Sequence, residues 1–248
     1  WTPDGEDIVI WAQGKLWRVA VEDGTPSEIP FTATVDQRMS EPVRFSYRLD
    51  EGSFDPKMIR DAATSPDGRT LVFHAVGSLW QKALPNGRPQ RISSDSHFDY
   101  EPVFSRDGRQ LAFVRYSDED QTAIIVRDVA TGTERAVTTR AGFYFAPAFS
   151  PDGSTLVYSR QAPGGLLDYR FGLDTGIWLQ PLAGGEPRRI SRNGYQPQFS
   201  ADGRRVFYMT GGGMDKKLNS IGLHGQDPRE HFNLKYVTSV ALSPDNQW

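Results

Sequence analysis

Phe149-Ser150-Pro151-Asp152-Gly153-Ser154-Thr155-Leu156-Val157-Tyr158 is the stretch that decides how this chain folds. Pro151 sets φ for the first corner of a turn, the Asp152 side chain can bond nearby backbone N–H groups, and Gly153 tolerates positive φ. Ser150 to Gly153 therefore reads as a hairpin between two strands. Leu156 and Tyr158, two apart, fall on one face of the second strand, and Phe149 ends the first.

The phrase recurs as Thr2-Pro3-Asp4-Gly5, Ser65-Pro66-Asp67-Gly68, Ser105-Arg106-Asp107-Gly108, Ser200-Ala201-Asp202-Gly203 and Ser243-Pro244-Asp245-Asn246. Its aspartates are spaced 63, 40, 45, 50 and 43 residues apart, a period that signals an array of like units. Ile8, Leu71, Leu111, Leu156 and Val206 stand at Asp+4, with Ile10, Phe73, Phe113, Tyr158 and Tyr208 at Asp+6. Phe104, Phe149, Phe199 and Leu242 stand at Asp−3, and Pro102, Pro147 and Pro197 at Asp−5, where a missing N–H suits a strand entry or edge. Third strands are expected at Trp17, Trp80, 123–127 and Trp178, and fourth strands over 28–31, 90–93, 135–138, 188–191 and 229–232.

Four short antiparallel strands per period make a propeller blade. No segment keeps helical spacing of apolar residues for three turns. The expected fold is an all-β propeller of four-stranded antiparallel blades, about five of them visible, forming one domain over 1–248. The blades fall near 1–31, 58–93, 100–138, 144–191 and 195–232, with a further start at 235–248 and an insertion at 32–57. Both chain ends fall inside a repeat, so the expectation is a segment of a six- or seven-bladed ring.

Phe104-Ser105-Arg106-Asp107-Gly108-Arg109-Gln110-Leu111-Ala112-Phe113 and its copy at 149–158 resemble the TolB-like propeller repeats, and the resemblance covers nearly the whole chain. In detail, Trp1-Thr2-Pro3-Asp4-Gly5, Ile29-Pro30-Phe31, 160–165 and 172–178 resemble the propeller region that precedes the catalytic barrel of a group of bacterial amidohydrolases. That resemblance implies a parent hydrolase with a divalent metal in a downstream domain, and a periplasmic or secreted location. The family's His-x-His and its other metal ligands do not occur in these residues, so no catalytic residue, metal ligand or cofactor is assigned here. The partner implied is a catalytic domain of the same chain or a protein or peptide. Two alternatives stay open: a stand-alone envelope binding module, and the gating propeller of a prolyl-oligopeptidase or tricorn-type protease.

Composition excludes several classes. With 28 basic and 31 acidic residues, a net charge of −3 argues against a nucleic-acid surface. Cysteine is absent, which removes disulfides, thiolate metal sites and cysteine nucleophiles. No apolar run reaches membrane length. No Gly-x-Ser-x-Gly, His-Glu-x-x-His or His-x-His motif occurs, and the repeated aspartates read as turn residues.

In a four-stranded blade, loops after the first and third strands share one face of the ring, and those after the second and fourth share the other. Here the first face carries tight turns, while every long segment (32–57, 94–99, 117–121, 139–142, 161–175 and 211–216) falls on the second. Insertions gathered on one face of an array commonly mark a binding face. The candidate binding residues on that face are His97, Asp99 and Tyr100 at an interblade entry, together with Arg115, Arg160, Asp168 and Arg170. The arginines suit a carboxylate or an acidic patch through their planar multi-donor groups, or else form rim ion pairs.

Overall fold

The recurring turn explains why the chain keeps reversing. In the computed structural model, which describes residues 1–40, 55–94, 96–118, 121–162 and 174–243, Ser150 Oγ donates to Asp152 Oδ1 at 2.5 Å. Asp152 Oδ1 also accepts the Ser154 N–H at 3.0 Å, and Ser150 Oγ accepts the Thr155 N–H at 3.0 Å. The same set surrounds Asp67, Asp107 and Asp202. Thr2 and Asp4 build a version of it. These bonds, the hydroxyl first and the backbone N–H next, hold the five carboxyls below the ordinary range. Gly153 closes the turn at φ 71°, where a side chain would be strained. The sixth copy, at Asp245, lies outside the described residues.

The chain divides into two units, Trp1–Ser53 and Phe54–Trp248. The first holds a three-stranded sheet of β1 (Asp7–Ala12), β2 (Lys15–Ala20) and β3 (Pro26–Ile29), the second to fourth strands of a blade. The second unit holds four sheets, each of four antiparallel strands in chain order. Blade 2 is β4 (Arg60–Thr64), β5 (Thr70–Ala75), β6 (Ser78–Ala83) and β7 (Gln90–Arg91). Blade 3 is β8 (Phe98–Phe104), β9 (Gln110–Ser117), β10 (Gln121–Asp128) and β11 (Glu134–Ala136). Blade 4 is β12 (Phe143–Phe149), β13 (Thr155–Gln161), β14 (Gly176–Pro181) and β15 (Arg188–Ser191). Blade 5 is β16 (Tyr195–Phe199), β17 (Arg205–Gly212), β18 (Asp215–Gly222) and β19 (Arg229–Lys235). The chain thus adopts the all-β blade architecture expected from its repeat, and no helix among the described residues is long and apolar enough to cross a membrane.

One boundary differs from expectation. Lys235, expected to open a further blade, is the last residue of β19, because β17 and β18 pair out to Gly212 and Asp215 and β19 follows β18 to its end. Residues 237–243 form no strand; the Gln198 side chain holds them, donating to Val240 O and accepting the Leu242 N–H.

The Asp+4 and Asp+6 side chains of blades 3 to 5 are all buried and lie in the seams between blades. Leu111 and Phe113 meet Val72 and Leu79; Leu156 and Tyr158 meet Ala112, Ile124 and Val126; Val206 and Tyr208 meet Val157, Ile177 and Leu179. Each such side chain contributes about 1.5–3 kcal/mol through removal from water. The seams hold the first strands in fixed register with one another, and that register shapes the inner edge.

Candidate functional site

The first strands β4, β8, β12 and β16 each form one edge of their sheet, and consecutive ones pack together. They make the inner edge of the second unit. Each is bulged against its neighbour at the same point, six residues before the hairpin aspartate, where Asp61, Glu101, Ala146 and Gln196 have φ of 50°, 52°, 49° and 50°. Residues other than glycine seldom adopt this conformation, which costs on the order of 1–3 kcal/mol, and a bulge re-aims the side chain out of the ladder. Four unlike side chains therefore stand on four copies of one backbone shape.

On the side of blades 2 and 3 the edge is polar. Glu101 Oε2 accepts the Ala146 N–H at 2.5 Å, tying blade 3 to blade 4. Burial pushes the Glu101 carboxyl up, the Ala146 bond pulls against it, and the charge of Asp61 adds to the rise. Burial also pushes the Tyr100 phenol well above its usual range, with Glu101 and Asp61 adding to it. Asp61 Oδ2 lies 3.7 Å from His74 Nδ1, a buried nitrogen without a hydrogen-bond partner among the described residues, and the His74 ring is 6.4 Å from that of Tyr100. Two carboxylates, an imidazole and a phenol thus share one stretch of edge, an arrangement that accepts donors and cations.

On the side of blades 4 and 5 the edge is apolar and hollow. A cavity of about 570 Å³ is lined by Ala146, Pro147, Phe149, Gln196, Pro197 and Phe199. Gln196 Oε1 is buried there without a hydrogen-bond partner among the described residues. The cavity also reaches the hairpin residues Arg106, Pro151 and Ala201, so it extends toward the short-turn face rather than the long-segment face favoured by the sequence.

The sequence-predicted residues separate into four groups. Tyr100 belongs to the polar cluster, and His97 Nδ1, just before β8, is buried without a partner among the described residues. Asp99 and Arg115 are bound to each other, Nε to Oδ1 at 2.8 Å and Nη2 to Oδ2 at 2.9 Å, with Asp99 only 1% exposed and Glu134 closing on Arg115 at 2.9 Å. Arg160 stands apart on β13, donating to Ala141 O at 3.0 Å. Asp168 and Arg170 lie outside the described residues. Asp61, His74, Glu101 and Gln196 were not singled out from sequence as binding residues; the signal that would have found three of them is the Asp−6 position, which in blades 3 to 5 stands just ahead of the recurring Pro102, Pro147 and Pro197.

Among the described residues no three His, Asp or Glu side chains converge as metal ligands. Ser220 Oγ lies 2.8 Å from His231 Nε2, but Ser220 is fully buried and also bound by Arg205 Nε at 3.0 Å, so it offers no accessible nucleophile.

These blades and their inner edge define a repeat-built β-propeller domain. A family model described as the TolB beta propeller domain matches residues 86–247, and the chain belongs to that family. It is similar to the Tol-Pal system protein TolB of Rickettsia bellii (strain OSU 85-389), 32% identical over 111 residues that cover 44% of this chain and 24% of that one. The corresponding protein of Rickettsia akari (strain Hartford) is 29% identical over 112 residues, 44% of this chain and 23% of that one. The match spans about a quarter of the length of these curated relatives. Among solved structures, TolB from Acinetobacter baumannii aligns with a TM-score of 0.58 at 19% identity, covering 95% of this chain and 54% of that one. Oligogalacturonate lyase from Vibrio parahaemolyticus aligns with a TM-score of 0.59 at 16% identity, covering 98% and 66%. At such identities the likeness concerns the fold alone.

Proposed function

We propose that this chain is a non-catalytic TolB-like propeller domain that gates, shapes or docks a hydrolase by holding a protein segment along its inner edge. The observation that carries this reading is the inner-edge row, where the backbone repeats at Asp61, Glu101, Ala146 and Gln196 while the side chains do not. A purely structural position would keep its side chain, as the hairpins do. The polar end suits a basic or donor-rich stretch of the segment and the hollow end an apolar one. The sequence resemblance supports a metal-dependent amidohydrolase as the parent, with the divalent metal in a downstream domain. The Tol-Pal relatives support a periplasmic location.

The test is site-specific photo-crosslinking in the full-length protein in its native host. A photoreactive residue replacing Gln196 should give a discrete protein adduct, either with a downstream domain or with a separate partner, whereas one replacing the exposed Ala183 should not. Adducts at Ala183 and none at Gln196 would sink the inner-edge reading.

A further inference from the structure

Arg115 and Arg160 occupy one repeat position, eight residues after their hairpin aspartates, on β9 and β13. The residue paired across the hairpin is Asp99 in blade 3 and Tyr144 in blade 4. Arg115 is neutralised by its built-in carboxylate through two charge-assisted bonds, at 2.8 and 2.9 Å. Arg160 has a ring there instead, 5.6 Å from its guanidinium. The carboxylate nearest to it, Asp174, is 3.5 Å away, 43% exposed, and also faces Arg189 at 3.9 Å.

Arg160 opens onto a cavity of about 340 Å³ between blades 3 and 4. Arg135 and Arg140 line it from the blade 3 side, and Tyr158, Trp178 and Gln180 from blade 4. Among the described residues neither Arg135 nor Arg140 has a carboxylate within ion-pair distance; Arg135 donates to Leu182 O at 3.1 Å. Glu186 is the sole acid on the wall among the described residues. Burial raises the Tyr144 phenol, while Arg160 and Arg140 both pull it down, as expected of two guanidinium groups near one hydroxyl. Among the described residues, three guanidinium groups stand against Glu186 on the wall and Asp174 beside Arg160, which leaves the cavity cationic, and its volume lies within the range of about 300–1,000 Å³ seen for small-ligand sites.

We propose that this cavity binds a small organic anion, a carboxylate carried on a ring. The carboxylate sits between Arg160 and Arg140, where it does for Arg160 what Asp99 does for Arg115. The ring packs on Trp178, which is half-buried and lines the cavity, while Tyr158 lies buried behind it. The site is separate from the inner edge and does not depend on what docks there.

Calorimetric titration of the full-length protein with benzoate, glucuronate, inorganic phosphate and benzyl alcohol tests the assignment. Benzoate and glucuronate should bind, benzyl alcohol should not, and Arg140→Ala, a change at an exposed position, should weaken both carboxylates at least tenfold. Tyr144→Asp should abolish binding by giving Arg160 an internal partner; because Tyr144 is buried, Arg140→Ala is the deciding variant and its thermal unfolding should match the parent. Absence of binding by both carboxylates, or unchanged affinity in Arg140→Ala, would overturn the site. Phosphate binding as tightly as benzoate would overturn the ring-bearing ligand.

Discussion

Blades 3 and 4 are built on the same frame and differ in what they do with charge. Their first strands read Phe98-Asp99-Tyr100-Glu101-Pro102-Val103-Phe104 and Phe143-Tyr144-Phe145-Ala146-Pro147-Ala148-Phe149. Phe, Pro and Phe stay at the first, fifth and last positions, and both strands bulge at the residue before Pro. Asp99 and Glu101 of blade 3 become Tyr144 and Ala146 of blade 4, so the inner half of one blade is closed by ion pairs and hydrogen bonds while the other is left apolar beside an arginine. Positions that keep their residue make the blade; positions that change it mark where the blades have different work.

The largest effect should come from breaking the closed pair. Asp99→Ala leaves Arg115, 17% exposed, without its bidentate partner, and removal of one member of a buried pair costs about 3–5 kcal/mol. Urea unfolding should show that loss in the midpoint with little change in slope. A second change, Arg115→Ala on top of Asp99→Ala, should restore part of it, since no unpaired charge then remains. A loss below about 1 kcal/mol for Asp99→Ala would place the pair with exposed salt bridges and erase the contrast between the blades.

The shared part of the frame should respond alike in both blades. Ser105→Ala and Ser150→Ala each remove the hydroxyl that bridges the hairpin aspartate to the next strand, and each should cost about 1 kcal/mol, the usual net worth of a hydrogen bond. Unequal losses would mean that the two hairpins are not equivalent supports.

This symmetry also explains what the sequence could and could not disclose. The hairpins and the buried Leu111, Phe113, Leu156 and Tyr158 were legible because each repeat uses the same side-chain chemistry for the same local reason. The bulges were not, because Asp61, Glu101, Ala146 and Gln196 share a left-handed backbone that no residue type among them announces. The recurring Pro beside Glu101, Ala146 and Gln196, read only as a strand entry, was the available trace; Asp61 is followed by Ala62 and has none. Asp99 and Arg115 both stood out as candidates, yet as separate ones. They lie eight residues before and after Asp107, but the hairpin alone does not pair them: Val103 and Phe104 face Ala112 and Leu111, and it is the register shift between Tyr100 and Val103 that brings Asp99 opposite Arg115 instead of Tyr116.

Glu101 gives the comparison a pH axis that Ala146 cannot supply. Its carboxyl is pushed up in the folded chain, mainly by burial, so the native state takes up this proton at a higher pH than the unfolded chain. Stability from this group is therefore greatest below the unfolded value of about 4.3 and declines as pH rises through the folded value. Glu101→Gln keeps an acceptor for the Ala146 N–H and removes the titration. Urea midpoints of the parent should gain on those of the variant as pH falls from 7 toward 4. A constant difference across that range would show that Glu101 titrates alike in both states.

The smallest effect should come from the open arginine. Arg160 makes one hydrogen bond to Ala141 O, lies on the Tyr144 ring and faces the half-exposed Asp174. None of these leaves a buried charge behind when the guanidinium is removed, so Arg160→Ala should cost no more than about 1 kcal/mol, the range of exposed ion pairs. Arg115→Ala is the matched change in blade 3, and there Asp99 stays behind, buried and without its bidentate partner, so the loss should be several-fold larger. The ratio of the two losses measures how far the blades have diverged at a position where their sequences agree. Equal losses would mean that Tyr144 and Asp174 hold Arg160 as firmly as Asp99 and Glu134 hold Arg115, and an arginine so held has no charge to offer a ligand.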